Sequence, residues 1–159
     1  MAGRITLKTT NWLKCGRKLL KTLFDQFTYL NTMFTELFAD TIVTYYVPTH
    51  ASRTVYNLFV ARRGYTVTSI DYVPDVAQGA TLTATVVKAT GTAAPSSGTT
   101  PMCAAGAINC NASANAVQSI TLTTTAADLV LAAGQRIGLV LSGALSTGSG
   151  LLTIRMSKT

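Results

Sequence analysis

Residues 81–88 read TLTATVVK, with Leu82, Ala84 and Val86 on one parity and Thr81, Thr83 and Thr85 on the other. Successive side chains of a strand point to opposite faces, so this segment predicts a strand with one face on a core. The rhythm returns in Ile120 and Leu122 against Thr121 and Thr123, and in Ile137, Leu139 and Leu141 against Gly138 and Val140. Working outward, short runs rich in Thr, Val, Ile and Leu are separated by Gly, Pro, Asn and Ser clusters. They predict strands near Thr41–Val47, Thr54–Ala61, Thr66–Val73, Thr81–Lys88, Val117–Thr124, Leu129–Leu131, Arg136–Ser142 and Leu151–Ser157. Short strands in this number with no helices between them predict a mainly β domain over residues 41–159. Its expected form is a jelly-roll-like antiparallel β-sandwich. The longest irregular stretch is Ala89 to Ala116, whose TGTAAPSSG run predicts an exposed loop, with Asn109–Asn115 a second loop and Gly143 to Gly150 a turn.

Residues 1–40 have a different texture. From Asn11 to Ala39 there is no proline and one glycine, Gly16. Leu13, Gly16, Leu20, Leu23, Phe27, Leu30, Phe34 and Leu37 alternate at spacings of three and four, the a/d pattern of a coiled coil. Phe24, Met33 and Phe38 widen the stripe. The expectation is a long N-terminal α-helix, roughly 43 Å at ~1.5 Å per residue. Its apolar stripe suits self-association first, with packing along its own β domain or lying on a membrane surface as the other readings. Under the first reading Leu13, Leu20, Leu23, Phe27, Leu30, Phe34 and Leu37 form the oligomer interface. The aromatic residues need more volume than a tight dimer offers, which favours a homotrimer.

Charge separates the two regions as well. The net charge is +7, yet charged residues are only 12% of the chain, about half of what is usual. Such a surface suits a protein covered by other protein. Arg4, Lys8, Lys14, Arg17, Lys18 and Lys21 all precede the first acid, Asp25, and form a candidate docking patch for an acidic surface. Arg62-Arg63 near Tyr56, Phe59 and Tyr65 raises single-stranded nucleic acid as a partner. The preferred reading is a strand end where arginines cap an apolar row. No stretch approaches the ~20 apolar residues of a membrane span, and no signal peptide is expected.

Residues for chemistry are scarce. The only histidine, His50, sits in a Pro48-Thr49-His50 turn, and the domain after Thr41 offers only Asp71, Asp75 and Asp128 as carboxylates. A Ser-His-Asp arrangement or a glycosidase pair would have to be built from these, and neither is expected. Cys15, Cys103 and Cys110 form no zinc pattern. Cys103 and Cys110 suit either a pair of buried free thiols, which their apolar neighbours favour, or a short disulfide loop. No catalytic residue, cofactor, metal or small-molecule substrate is expected.

Ile70-Asp71-Tyr72-Val73-Pro74-Asp75, LTATVVKATGTAAPSSGTT from Leu82, AGAINCNASANAVQSITLT from Ala105 and TAADLVLAAGQRIGLVLSGAL from Thr125 carry a resemblance. Together they make most of the chain from Tyr65 onward similar to the capsid decoration (cement) and head-fibre proteins of tailed bacteriophages. The resemblance implies a structural virion protein without enzymatic activity. It implies a β-sandwich on the outer capsid surface, commonly trimeric, bridging and stabilising major capsid protein subunits, and made in the host cytoplasm. The alternative is a head- or tail-fibre module that binds host-surface glycan. Cys103 and Cys110 depart from the apolar residues expected there, and the N-terminal helix lies outside the resemblance.

Overall fold

The computed structural model describes residues 18–30, 40–97 and 100–159. The chain divides into two compact units, Met1–Ala39 and Asp40–Thr159. In the first, residues 18–30 are helical (α1).

The second unit is mainly β: two antiparallel sheets over a common core. The first sheet contains β1 (Asp40–Val47), β10 (Ser149–Lys158), β3 (Tyr65–Val76) and β7 (Gln118–Ser119) in that order, and β8 (Val130–Leu131) also pairs with β3. The second contains β2 (Val55–Val60), β9 (Arg136–Leu141), β4 (Thr83–Ala89) and β5 (Thr100–Pro101), and β6 (Ile108–Asn109) also pairs with β4. β1, β2, β3 and β4 alternate between the sheets, and β9 and β10 fill the gap in each. This is the strand order of a jelly roll, as expected from the sequence.

The period-two pattern does the sorting. Leu82, Ala84 and Val86 are buried while Thr81, Thr83 and Thr85 are not. They meet Ile70, Tyr72, Leu152, Ile154 and Met156 from the opposite sheet and Ile137, Leu139 and Leu141 from their own, in one core cluster. Each Leu, Ile, Val and Met among these contributes on the order of 1.5–3 kcal/mol by leaving water.

Several boundaries differ from expectation for identifiable reasons. β3 does not stop at Val73 but runs through Pro74 to Val76. The ladder is irregular there, with Gly150 opposite Pro74 and Ser149 opposite Val76, and this bulge accommodates the residue that lacks an N–H. The expected strand Val117–Thr124 pairs only at Gln118–Ser119. Beyond it the Ile120 N–H donates to Ile70 of the first sheet, while the Thr123 N–H donates to Met102 and Leu122 bridges Cys103 in the second. This segment crosses between the sheets and closes that side of the sandwich. Leu129 belongs to a one-turn helix, α2 (Ala126–Leu129), rather than to a strand. The expected turn Gly143–Gly150 is shorter, because Ser149 and Gly150 open β10.

Ala89–Ala116 is not wholly irregular, since it holds β5 and β6. Nor is its low-complexity run a free loop. Arg136 Nη2 donates to the carbonyls of Gly91 (3.0 Å) and Ala93 (2.6 Å), and Pro95 is buried. A Cβ at Gly138 would lie 2.7 Å from Pro95 Cγ. Glycine at 138 thus lets the loop lie flat on the outer face of the second sheet.

Cys103 and Cys110 are both free and buried. Burial pushes the Cys110 thiol up to about 11, against a hydrogen bond with the Tyr72 hydroxyl that lowers it. The protonated thiol is the form that fits the fold, so its stability contribution is full below the unfolded-state pKa and is lost as pH rises towards 11. Denaturant midpoints taken at pH 8 and pH 10.5 should therefore show a stability loss of about 2 kcal/mol. Cys110→Ala should remove at least half of that difference; an unchanged slope would contradict the assignment.

Candidate functional site: interaction surfaces

What the structure exposes is surface for contact. In α1 every side chain from 18 to 30 is exposed. Leu20, Leu23, Phe27 and Leu30, spaced by three and four, lie along one face at 52–69% exposure, and Leu19 (66%) and Phe24 (76%) broaden it. A helix without packing partners is marginal in water, because propensity alone rarely offsets nucleation. Lys18 and Lys21 are exposed on the same helix. Leu13, Phe34, Leu37, Arg4, Lys8, Lys14 and Arg17, and with them Cys15, lie outside the described residues.

A second apolar surface was not foreseen from sequence. On the outer face of the first sheet, Tyr46 pairs with Leu151 and Leu151 with Val73. Gln118 pairs with Tyr72, so the register places Val117 next to Val73. Tyr46 (50%), Leu151 (39%) and Val117 (69%) are exposed, and the row crosses all four strands. The next row, Thr44, Thr153, Asp71 and Ser119, is polar, and Ser119 Oγ donates to Asp71 Oδ1 at 2.8 Å. The asymmetry between sheets is physical: the second sheet's outer face carries its own 90–97 loop, and the first sheet's row carries nothing from the sandwich. The signal available in sequence was Ile42 and Tyr46, apolar on the parity that should face water.

Three of the residues weighed for chemistry or nucleic acid, His50, Tyr56 and Tyr65, are engaged in structure. His50 Nδ1 accepts the N–H groups of Arg53 (2.9 Å) and Ser52 (3.2 Å), so the imidazole closes the turn it sits in. Tyr56 and Tyr65 are buried, and the half-buried Phe59 packs edge-on against Tyr65 at 5.6 Å, so among the described residues none of these three rings stands fully exposed for a base to stack on. A groove of about 820 Å³ lies where the 118–123 segment crosses between the sheets. Its lining, including Ala104, Ala105, Thr121 and Leu122, brings no carboxylate, imidazole or cation. Among the described residues no cluster of His, Cys, Asp or Glu is arranged to hold a metal. Among the same residues no helix is long and apolar enough to cross a membrane.

No family model matches the chain. No curated protein matches it. Among solved structures it is similar to a chain of the cyanophage Pam1 capsid asymmetric unit, at 13% identity and a TM-score of 0.45 over 77% of this chain and 88% of that one. It is also similar to a chain of the acid-stable capsid of Helicobacter pylori bacteriophage KHP30, at 12% identity and 0.44 over 75% and 87%. A third likeness, to infectious bursal disease virus Gx strain, has 15% identity and 0.36 over 74% and 32%. Likeness at this level carries no function across.

Proposed function

We propose that the protein is a structural component of a bacteriophage virion: a non-enzymatic capsid cement protein, homotrimeric, that bridges major capsid protein subunits on the outside of the head. One observation carries the reading. A chain poor in charge exposes apolar side chains on each of its units, in the α1 stripe and in the Tyr46–Leu151–Val73–Val117 row, and exposed apolar area of this kind marks association. The sequence resemblance from Tyr65 onward supplies the address, and a jelly roll is a rigid platform for such contacts. In this reading three copies of the α1 stripe face one another, and the basic residues from Arg4 to Lys21 meet an acidic coat. Many modest contacts on adjacent subunits then add up by avidity.

The test is a cryo-EM reconstruction of particles of the parent phage, with mass spectrometry of the same preparation. The expected result is three sandwiches around a local axis on the outer shell, in fixed stoichiometry with the coat. Purified virions that lack the protein would sink the proposal.

A further inference from the structure

The cations of the sandwich are not spread over it. Arg62 and Arg63 are exposed in the turn between β2 and β3 and have no bonded partner among the described residues. Lys158 ends β10 opposite Tyr65, and the Thr159 N–H donates to the Gly64 carbonyl at 3.3 Å, so the end of β10 lies beside that turn. Arg155 is exposed three residues earlier on the same strand. Arg136 opens β9 opposite Val60, the last residue of β2. Lys88 stands next to last in β4. These residues thus share one pole of the sandwich, and Arg53 alone stands at the other, 4.4 Å over the Tyr56 ring.

Two of these cations, Lys88 and Arg136, bond backbone carbonyls and keep their charge. Lys88 Nζ donates to the carbonyls of Ala127 (2.8 Å) and Val130 (3.1 Å), and Arg136 bonds Gly91 and Ala93. Carbonyls satisfy these donors without neutralising them. Among the described side chains of the sandwich, Asp40, which starts β1 opposite Ser157, and Asp128 in α2 stand against the cations. The pole is left with a clear positive excess, and its most accessible members are adjacent arginines on a turn.

We propose that this pole is a docking surface for an acidic, carboxylate-bearing protein surface, with Arg62 and Arg63 as its contact pair. Planar guanidinium groups pair with carboxylates bidentately, which suits a fixed protein partner. Single-stranded nucleic acid would need exposed rings beside the cations, and Tyr56 and Tyr65 are buried. The inference rests on the virion reading only for the identity of the partner, the outer face of a coat.

The probe is poly-L-glutamate, titrated against the full chain at 50 mM and 200 mM salt. The test variant is Arg62→Glu with Arg63→Glu. Its control has the same net charge, with Ala51, Ser52, Ala80 and Thr81, all exposed at the other pole, changed to Glu. Circular dichroism confirms that both are folded. The expected result is a Kd at least tenfold weaker for the arginine variant than for the control. Equal losses in the two would mean that total charge alone governs binding, and would overturn the proposal. Duplex DNA bound more tightly than polyglutamate, through the same arginines, would overturn it in favour of nucleic acid. Absence of the protein from virions would leave the titration unchanged, so the two readings fail separately.

Discussion

Gly150→Ala is expected to destabilise the sandwich by about 3–4 kcal/mol, the upper end of what one added methyl does in a packed core. The position is on β10 between buried Ser149 and exposed Leu151, with its missing side chain directed inward. A Cβ there would lie 2.6 Å from Tyr72 Cζ and 2.7 Å from the Val73 carbonyl oxygen, and closest of all to the Tyr72 hydroxyl. None of these neighbours can give way cheaply. The Val73 carbonyl belongs to the β3–β10 ladder, and Tyr72 is held by burial at 2% exposure and by its bond to Cys110. Thermal unfolding should fall by roughly 10–20 °C. A double-mutant cycle gives the claim its edge. Tyr72→Phe alone should cost about 1 kcal/mol for the lost hydrogen bond. In the Gly150→Ala background it should cost nothing or restore stability, because it removes the atom nearest the new methyl. Additive effects would show that the crowding lies elsewhere.

Such a position also marks the boundary of what sequence makes legible. TLTATVVK gave its strand correctly because alternation is a local property, and β4 follows with Leu82, Ala84 and Val86 inside. The alternation of Ile120 and Leu122 was equally real, yet alternation does not say which sheet a residue pairs with, and the segment crosses between two. The expected strand Thr66–Val73 stops short of Pro74; the bulge that accommodates this proline depends on Ser149 and Gly150, about 75 residues away in the chain. The 90–97 loop looked free because its own residues are small and neutral. What pins it is Arg136 and the bare backbone of Gly138, both on another strand. The candidate surfaces divide in the same way. The α1 stripe is periodic and was visible, whereas the outer row joins Tyr46, Leu151, Val73 and Val117 only through strand register. For His50 the sequence showed a lone imidazole in a turn, and the structure adds what it does there: Nδ1 accepts two backbone N–H groups.

Deletion of residues 1–39 is expected to convert a species of about three times 16.7 kDa into a folded monomer. The two halves of this statement have separate grounds. Among the described residues every buried member of the core cluster lies between Val47 and Met156, so the deletion removes none of that core. The sandwich's guanidinium midpoint should stay within the range of ordinary surface changes, ~0.5 kcal/mol. Association, in contrast, loses the exposed stripe. Leu20, Leu23, Phe27 and Leu30 are each more than half exposed, and burying four such side chains is worth on the order of 6 kcal/mol per helix. A loss of that size weakens association by roughly four orders of magnitude, enough to take a micromolar sample from assembled to dispersed. A milder variant separates the stripe from the rest of the unit. Leu23→Asp with Phe27→Asp keeps the chain length and the basic residues, and places like charges where three helices would meet. Sedimentation equilibrium of both variants should give the monomer mass, with far-ultraviolet dichroism retaining the β signal. If either still sediments as a trimer, assembly belongs to the sandwich, and the outer row Tyr46–Leu151–Val73–Val117 becomes the surface to substitute next. If both disperse, the helix is the seat of self-association and the row is left for a different neighbour. The two exposed surfaces would then divide the labour that a cement protein needs: one to gather its own copies, the other to hold them to the shell.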